Sequence, residues 1–189
     1  MCIFTEGCKL TGRHPLFFYP RLLLAGLVSI FATHVGAAEA YAARAESISD
    51  GDTLWVEPEA GGAPRKLRLL GVDAPELCQS GGVAAREALR ALVMKRRLKV
   101  HVQYLDVYGR GLARIDVGGQ DVAEALVSQG WAWSSRWRRS LGPYAVQETQ
   151  ARQARLGVFA QPHPELPRDF RRRHGSCVVP NGKGGFKRG

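Results

Sequence analysis

Cysteine and methionine are scarce, at 4 and 2 in 189 residues, which excludes a small fold stapled by disulfides. Paired Cys-x-x-Cys motifs, His-Glu-x-x-His and the glycine-rich P-loop are all missing, so the familiar signatures of zinc and nucleoside triphosphate sites are gone. A Gly-x-Ser-x-Gly nucleophile elbow is missing too. Long hydrophobic runs are absent: the one apolar stretch, residues 22–32, falls short of the about 20 residues that a membrane-spanning helix needs. Acidic residues are outnumbered, 17 against 27 Lys and Arg, leaving a net charge of +10 and a pI near 10.0. Such a balance points to polyanionic partners, either nucleic acid or an anionic membrane surface. What is present is otherwise ordinary. An apolar fraction of 45% excludes wholesale disorder, Gly 22 and Pro 10 exclude a collagen-like chain, and the length suits one domain with appendages.

The first forty residues look like an address. Lys9, Arg13 and Arg21 precede the apolar stretch, and Ala38-Glu39-Ala40 follows it as a small-x-small cleavage site before Tyr41. This is the layout of a signal peptide over 1–40, with secretion or the periplasm as destination; an uncleaved N-terminal membrane anchor is the rival reading. Either way the domain is exported. Cys2 and Cys8 leave with a cleaved leader, and Cys78 and Cys177 remain in a compartment that permits oxidation. They are expected to form a disulfide, the alternative being two free thiols.

Within 41–160 the hydrophobic period changes in a readable order. Strands are expected at 45–49, 53–57, 66–72, 98–104 and 111–117, and helices at 83–97, 121–130 and 143–157. Asp121 with Glu124 three residues on gives the second helix an N-cap, and Gly130 stops it. Five strands and three helices, the first helix between strands three and four, suit a mainly β α+β fold: a five-stranded OB-type barrel. Residues 161–189 hold seven basic side chains against two acidic ones, with frequent Pro and Gly. They read as an irregular basic tail, which either attracts phosphates or is merely solvated.

Three clusters at strand ends carry chemistry. Asp50-Gly51-Asp52-Thr53 sits between the first two strands; Arg68 lies on the third, which runs into Asp73-Ala74-Pro75-Glu76; and Asp106-Val107-Tyr108-Gly109-Arg110-Gly111 leads into the fifth. Each alone is an ordinary turn. Together they form the inventory for metal-assisted phosphodiester cleavage, since carboxylates select a hard cation and arginine forks meet phosphate oxygens without losing a proton.

The strings ISDGDTLWV (48–56), LRLLGVDAPE (67–76), YGRGLARI (108–115) and DVAEALVSQGWA (121–132) resemble the staphylococcal, or micrococcal, nuclease-like family, the thermonucleases. The resemblance covers roughly residues 45–159. It implies an OB barrel with three helices and Ca²⁺-dependent cleavage of DNA and RNA, with no obligate protein partner. It further implies that Asp52, Asp73 and the main-chain oxygen of Ala74 ligate Ca²⁺, that Glu76 activates the attacking water, and that Arg68 and Arg110 clamp the scissile phosphate, with Asp50 beside the metal ligands. Two departures stand out. Ala74 replaces a frequent Thr, and Arg136 and Arg138 stand where the best-known member has two Tyr. Stacking on bases is then left to Trp133, Trp137, Tyr144 or the Arg136 and Arg138 planes, although Trp131 and Trp133 could equally pack on the barrel. Two other readings stay open, a non-catalytic OB module that binds single strands or RNA and a surface adhesin with a basic tail.

Overall fold

The computed structural model describes residues 39–175, 177–180 and 186–188. The expected leader, up to residue 38, lies outside the described residues. The first strand β1 (Glu39–Ile48) pairs antiparallel with β2 (Thr53–Pro58), which pairs with β3 (Arg65–Leu69). On its other edge β1 pairs with β5 (Arg97–Leu105), and β5 with β6 (Gly111–Val117). A parallel pairing of β3 with β6, Arg68 opposite Leu112, closes the sheet into a five-stranded barrel of the OB type. Two short strands, β4 (Val72–Asp73) and β8 (Trp133–Ser134), form a separate ladder beside it, and β7 (Gln120–Asp121) extends β6.

Alternation explains the inward faces. Gly111, Ala113, Ile115 and Val117 of β6 and Leu98 and Val100 of β5 are buried, while Arg114 and Lys99 between them are exposed. Helix α1 (Gly82–Val93) adds Ala85, Leu89 and Val93 to this core from one stripe. Helix α2 (Val122–Ser128) is capped by Asp121, whose carboxylate accepts from the Ala123 and Glu124 amides at 2.8 and 3.3 Å. Among the described residues no helix is long and apolar enough to cross a membrane.

The structure differs from the sequence expectation in three places. β1 starts at Glu39, ahead of the expected cleavage point before Tyr41, and Glu39 pairs with Arg65 at 2.7 Å. α1 ends at Val93 because Lys95 turns into a left-handed conformation (φ 61°) and β5 begins at Arg97. The basic tail is partly regular: helix α4 (Pro167–His174) and the short strand pair β9 (Val178–Pro180) and β10 (Phe186–Arg188) lie in it. Pro167 at the first position and Arg171 to Arg173 in the last turn suit that helix. Among the described residues there are therefore four α-helices, counting α3 (Ala145–Gln153), where three were expected.

A second small core lies under α3, where Trp133 packs edge-on against Phe159 with Ala151 and Val158. The carboxyl group of Glu148 of α3 enters this region almost out of water, at 3% exposure. It is satisfied by Arg136 at 2.6 Å, Arg152 at 2.8 Å and the Ser134 amide at 2.9 Å. Removing it strands the Ser134 amide, whereas the two arginines can turn to solvent. Glu148→Ala is therefore expected to lower stability by about 2–4 kcal/mol in urea unfolding, against under about 1 kcal/mol for Arg152→Ala, whose charge is half in water. Equal losses would contradict this account of the α3 anchor.

Candidate active site

The antiparallel register of β2 and β3 sets Thr53 opposite Arg68, and the Leu69 amide donates to the Asp52 carbonyl at 2.8 Å. The carboxylate of Asp52 thus lies beside the Arg68 guanidinium. Asp52 is 3% exposed. One of its carboxylate oxygens accepts from Arg68 Nη1 at 2.6 Å and from the Thr53 hydroxyl at 2.9 Å; the other accepts from the Ala74 amide at 3.1 Å. Arg68 reaches on through Nη2 to Asp73 at 3.2 Å, where β4 ends. The Asp52 amide in turn donates to Asp50 at 3.0 Å.

Glycine permits this closeness. A Cβ on Gly51 would lie 2.7 Å from that of Ala74 and 2.8 Å from that of Ala85, and a Cβ on Gly82 would fall on the carbonyl oxygen of Glu76. The first turn of α1 is thereby laid against both acidic loops.

Crowding of like charges shows in the titration. Burial, with the neighbouring charge of Asp52, pushes the Asp50 carboxyl up to about 7, and the same two causes raise Asp73. The carboxylate of Asp52 raises the Arg68 guanidinium further above its already high range. Four carboxylates within one corner, all oxygen donors and mutually repelled, have the chemistry of a seat for a hard divalent cation such as Ca²⁺ or Mg²⁺. Among the described residues no three of these side chains already form a metal cage; Arg68 and a second arginine bond them.

That second arginine is Arg171 of α4. It donates from Nη1 to Glu76 at 2.7 Å and to Asp73 at 3.2 Å. Sequence reasoning missed it, having assigned residues 161–189 to an irregular tail. The one signal was Cys177, for a disulfide joins Cys78, two residues past Glu76, to Cys177 in the tail.

Arg110 stands apart from this group. Its side chain pairs with Asp106 at 2.7 Å and lies over the Tyr108 ring at 5.3 Å. The β3–β6 register pairs Gly111, the next residue, with Leu67 and Leu112 with Arg68, so Arg110 sits just ahead of that pairing and bonds Asp106 and none of Asp50, Asp52, Asp73 or Glu76. The expected stacking residues divide. Trp133 is 2% exposed and Tyr144 is buried with its hydroxyl donating to Asp121 at 2.9 Å, so neither offers a ring face to a base. Each side chain is apolar enough to be worth more in the core than on the surface. Trp131 is partly buried against both cores, and Arg136 is committed to Glu148. Trp137, 74% exposed, and Arg138 remain at the surface.

With this geometry in view, comparison with known proteins is decisive. The sequence profile described as "Staphylococcal nuclease homologue" matches residues 66–161, about half of the chain. The chain belongs to the staphylococcal nuclease family. Over 154 residues it is 32% identical to an uncharacterized endonuclease of Haemophilus influenzae, covering 80% of this chain and 85% of that one. It is 35% identical over 136 residues to protein ParB of Escherichia coli, 66% of this chain and 76% of the relative. A probable staphylococcal-like nuclease of Oryza sativa is 36% identical over 107 residues, which cover 57% of this chain and 32% of that protein. The chain thus shares its family with nucleases, hydrolases of nucleic acid, and spans about a third of the rice relative's length.

The ion pairs give a stability prediction. Arg68→Ala leaves Asp52 buried without its cation, a loss of about 3 kcal/mol or more by urea unfolding in chelator. A loss under about 1 kcal/mol would mean that the pair does not hold the loop.

Proposed function

We propose that this member of the nuclease family is an exported, Ca²⁺-dependent endonuclease that hydrolyses DNA and RNA phosphodiesters with little sequence preference. The observation that carries the reading is the group Asp52, Arg68 and Asp73, joined to Glu76 through Arg171 and assembled from two separate sequence motifs and the tail. Asp52, Asp73 and the Ala74 carbonyl are the groups that would hold the cation. A bound Ca²⁺ supplies Lewis-acid stabilisation of the charge that builds on phosphate oxygens.

The chain's own residues do the rest. Glu76, the least enclosed of the acids that Arg171 touches, takes a proton from water as the water oxygen bonds to phosphorus and the ester P–O bond breaks, the departing oxygen being protonated from solvent. Arg68 stays charged at any working pH and offers its fork to the phosphate, whose charge is greatest in the transition state. Arg110, steadied by Asp106, meets the same phosphate from the β6 side. Little base preference fits these groups: phosphate-directed charges, with exposed aromatics such as Tyr108 and Trp137 that offer ring faces and no base-specific hydrogen-bond pattern.

Export rests on the leader pattern of residues 1–40. The Cys78–Cys177 disulfide supports it, since such bonds persist in oxidising compartments.

Glu76→Gln keeps the size and most hydrogen bonds of the side chain but removes the base. Turnover of DNA is expected to fall by about 10²- to 10⁴-fold with binding changed little, measured by single-turnover cleavage and fluorescence anisotropy. Unchanged turnover would remove Glu76 from the mechanism.

A further inference from the structure

Arg171 is the side chain at this site that arrives from the C-terminal tail. Of the arginines on α4, Arg168 and Arg172 pair with Asp169, and Arg173 pairs with Glu165. Arg171 alone turns to the acidic corner, with Nη1 on Glu76 at 2.7 Å and Nη2 on both oxygens of Asp73 at 3.3 Å. Two ties hold the helix there. The disulfide joins Cys177 to Cys78, and Gln79 donates to the Glu165 carbonyl at 2.7 Å while accepting from the Glu76 amide at 3.2 Å.

The two site arginines differ in what they can give up. Arg68 is 21% exposed and compensates Asp52, which has no other cation. Arg171 is 38% exposed and bonds two carboxylates more open to solvent than Asp52, at 16% and 22%. A guanidinium cannot shed its proton to make room for a metal. It must be displaced, and a half-exposed one is displaced into water at modest cost.

We propose that Arg171 is a resident counter-cation of the active site, held over Asp73 and Glu76 by the disulfide-tied tail, and that it competes with the divalent cation for these carboxylates. The tail then sets how much cation the enzyme needs, and breaking the Cys78–Cys177 bond lowers that requirement. The inference rests on the cation-dependent reading given above.

Calorimetric titration of Ca²⁺ into the full chain, without nucleic acid, tests this directly. Arg171→Gln should bind Ca²⁺ about tenfold more tightly than the parent, a change of about 1.4 kcal/mol, and Arg171→Lys, which keeps the charge, should stay near the parent. Reduction of the disulfide, or Cys177→Ser, should tighten binding similarly in the parent and add nothing in Arg171→Gln. Unfolding midpoints in chelator confirm that each variant is folded, and Arg171→Gln by itself decides the matter if Cys177→Ser is not. Equal or weaker Ca²⁺ binding by Arg171→Gln overturns the proposal while leaving the nuclease reading intact. No Ca²⁺ binding by any variant, with Mg²⁺ equally inert, overturns both.

Discussion

Asp52 is a carboxylate taken almost completely out of water, and a charge so placed must be matched nearby or the fold loses several kcal/mol. Much of the site can be read as the answer to that demand. The β2–β3 register brings Arg68 alongside, the Thr53 hydroxyl and the Ala74 amide take the remaining lone pairs, and Gly51 lets the loop sit close enough to α1 for all three to reach. Because Arg68 is drawn inward by Asp52, its second nitrogen lies within reach of Asp73, and the acidic loop before α1 is joined to the barrel. Structure and chemistry share one ion-pair network. Substitutions in it therefore act on stability and on activity together.

Charge is distributed unevenly between the molecule and its site. The chain carries +10 overall, yet Asp50, Asp52, Asp73 and Glu76 gather at one corner against Arg68 and Arg171. A basic surface draws a polyanion in; an acidic corner repels the phosphate that must be cut. In the function proposed above a divalent cation would resolve the conflict by reversing the local charge where the phosphate arrives, and burial with the charge of Asp52 raises Asp50 and Asp73. The tail belongs to this balance, since α4 delivers a guanidinium to the carboxylates and a disulfide keeps it there.

The parts of the fold that were legible in the sequence share a clean period. β5 and β6 alternate apolar and polar residues, α1 repeats Ala85, Leu89 and Val93 on one stripe, and Asp121 announces α2 by its cap. The start of β1 was not legible because Ala40, Ala42 and Ala43 give little contrast between faces, so pairing with β5 and not local pattern defines it. α4 has no apolar stripe to find: its sequence, Pro-Arg-Asp-Phe-Arg-Arg-Arg-His, reads as a solvated run, and tertiary ties hold it. The motif residues Asp52, Arg68, Asp73 and Glu76 were legible as types at strand ends, and the barrel brings them into contact. Trp133 and Tyr144 misled because an aromatic near a polar loop looks the same in sequence whether its ring faces the core or a base. Only the packing against Phe159 and the bond to Asp121 decide it.

What this charge arrangement is built to do is decided by whether it cuts nucleic acid with help from a cation. The direct measurement is digestion of plasmid DNA and of RNA by the purified chain with Ca²⁺, with Mg²⁺ and with chelator. Cleavage of both substrates with Ca²⁺ and none in chelator is the expected result. Intact substrate in every lane, with DNA bound and retarded on a gel, would contradict it and make the protein a nucleic-acid-binding barrel whose acidic corner serves the fold alone.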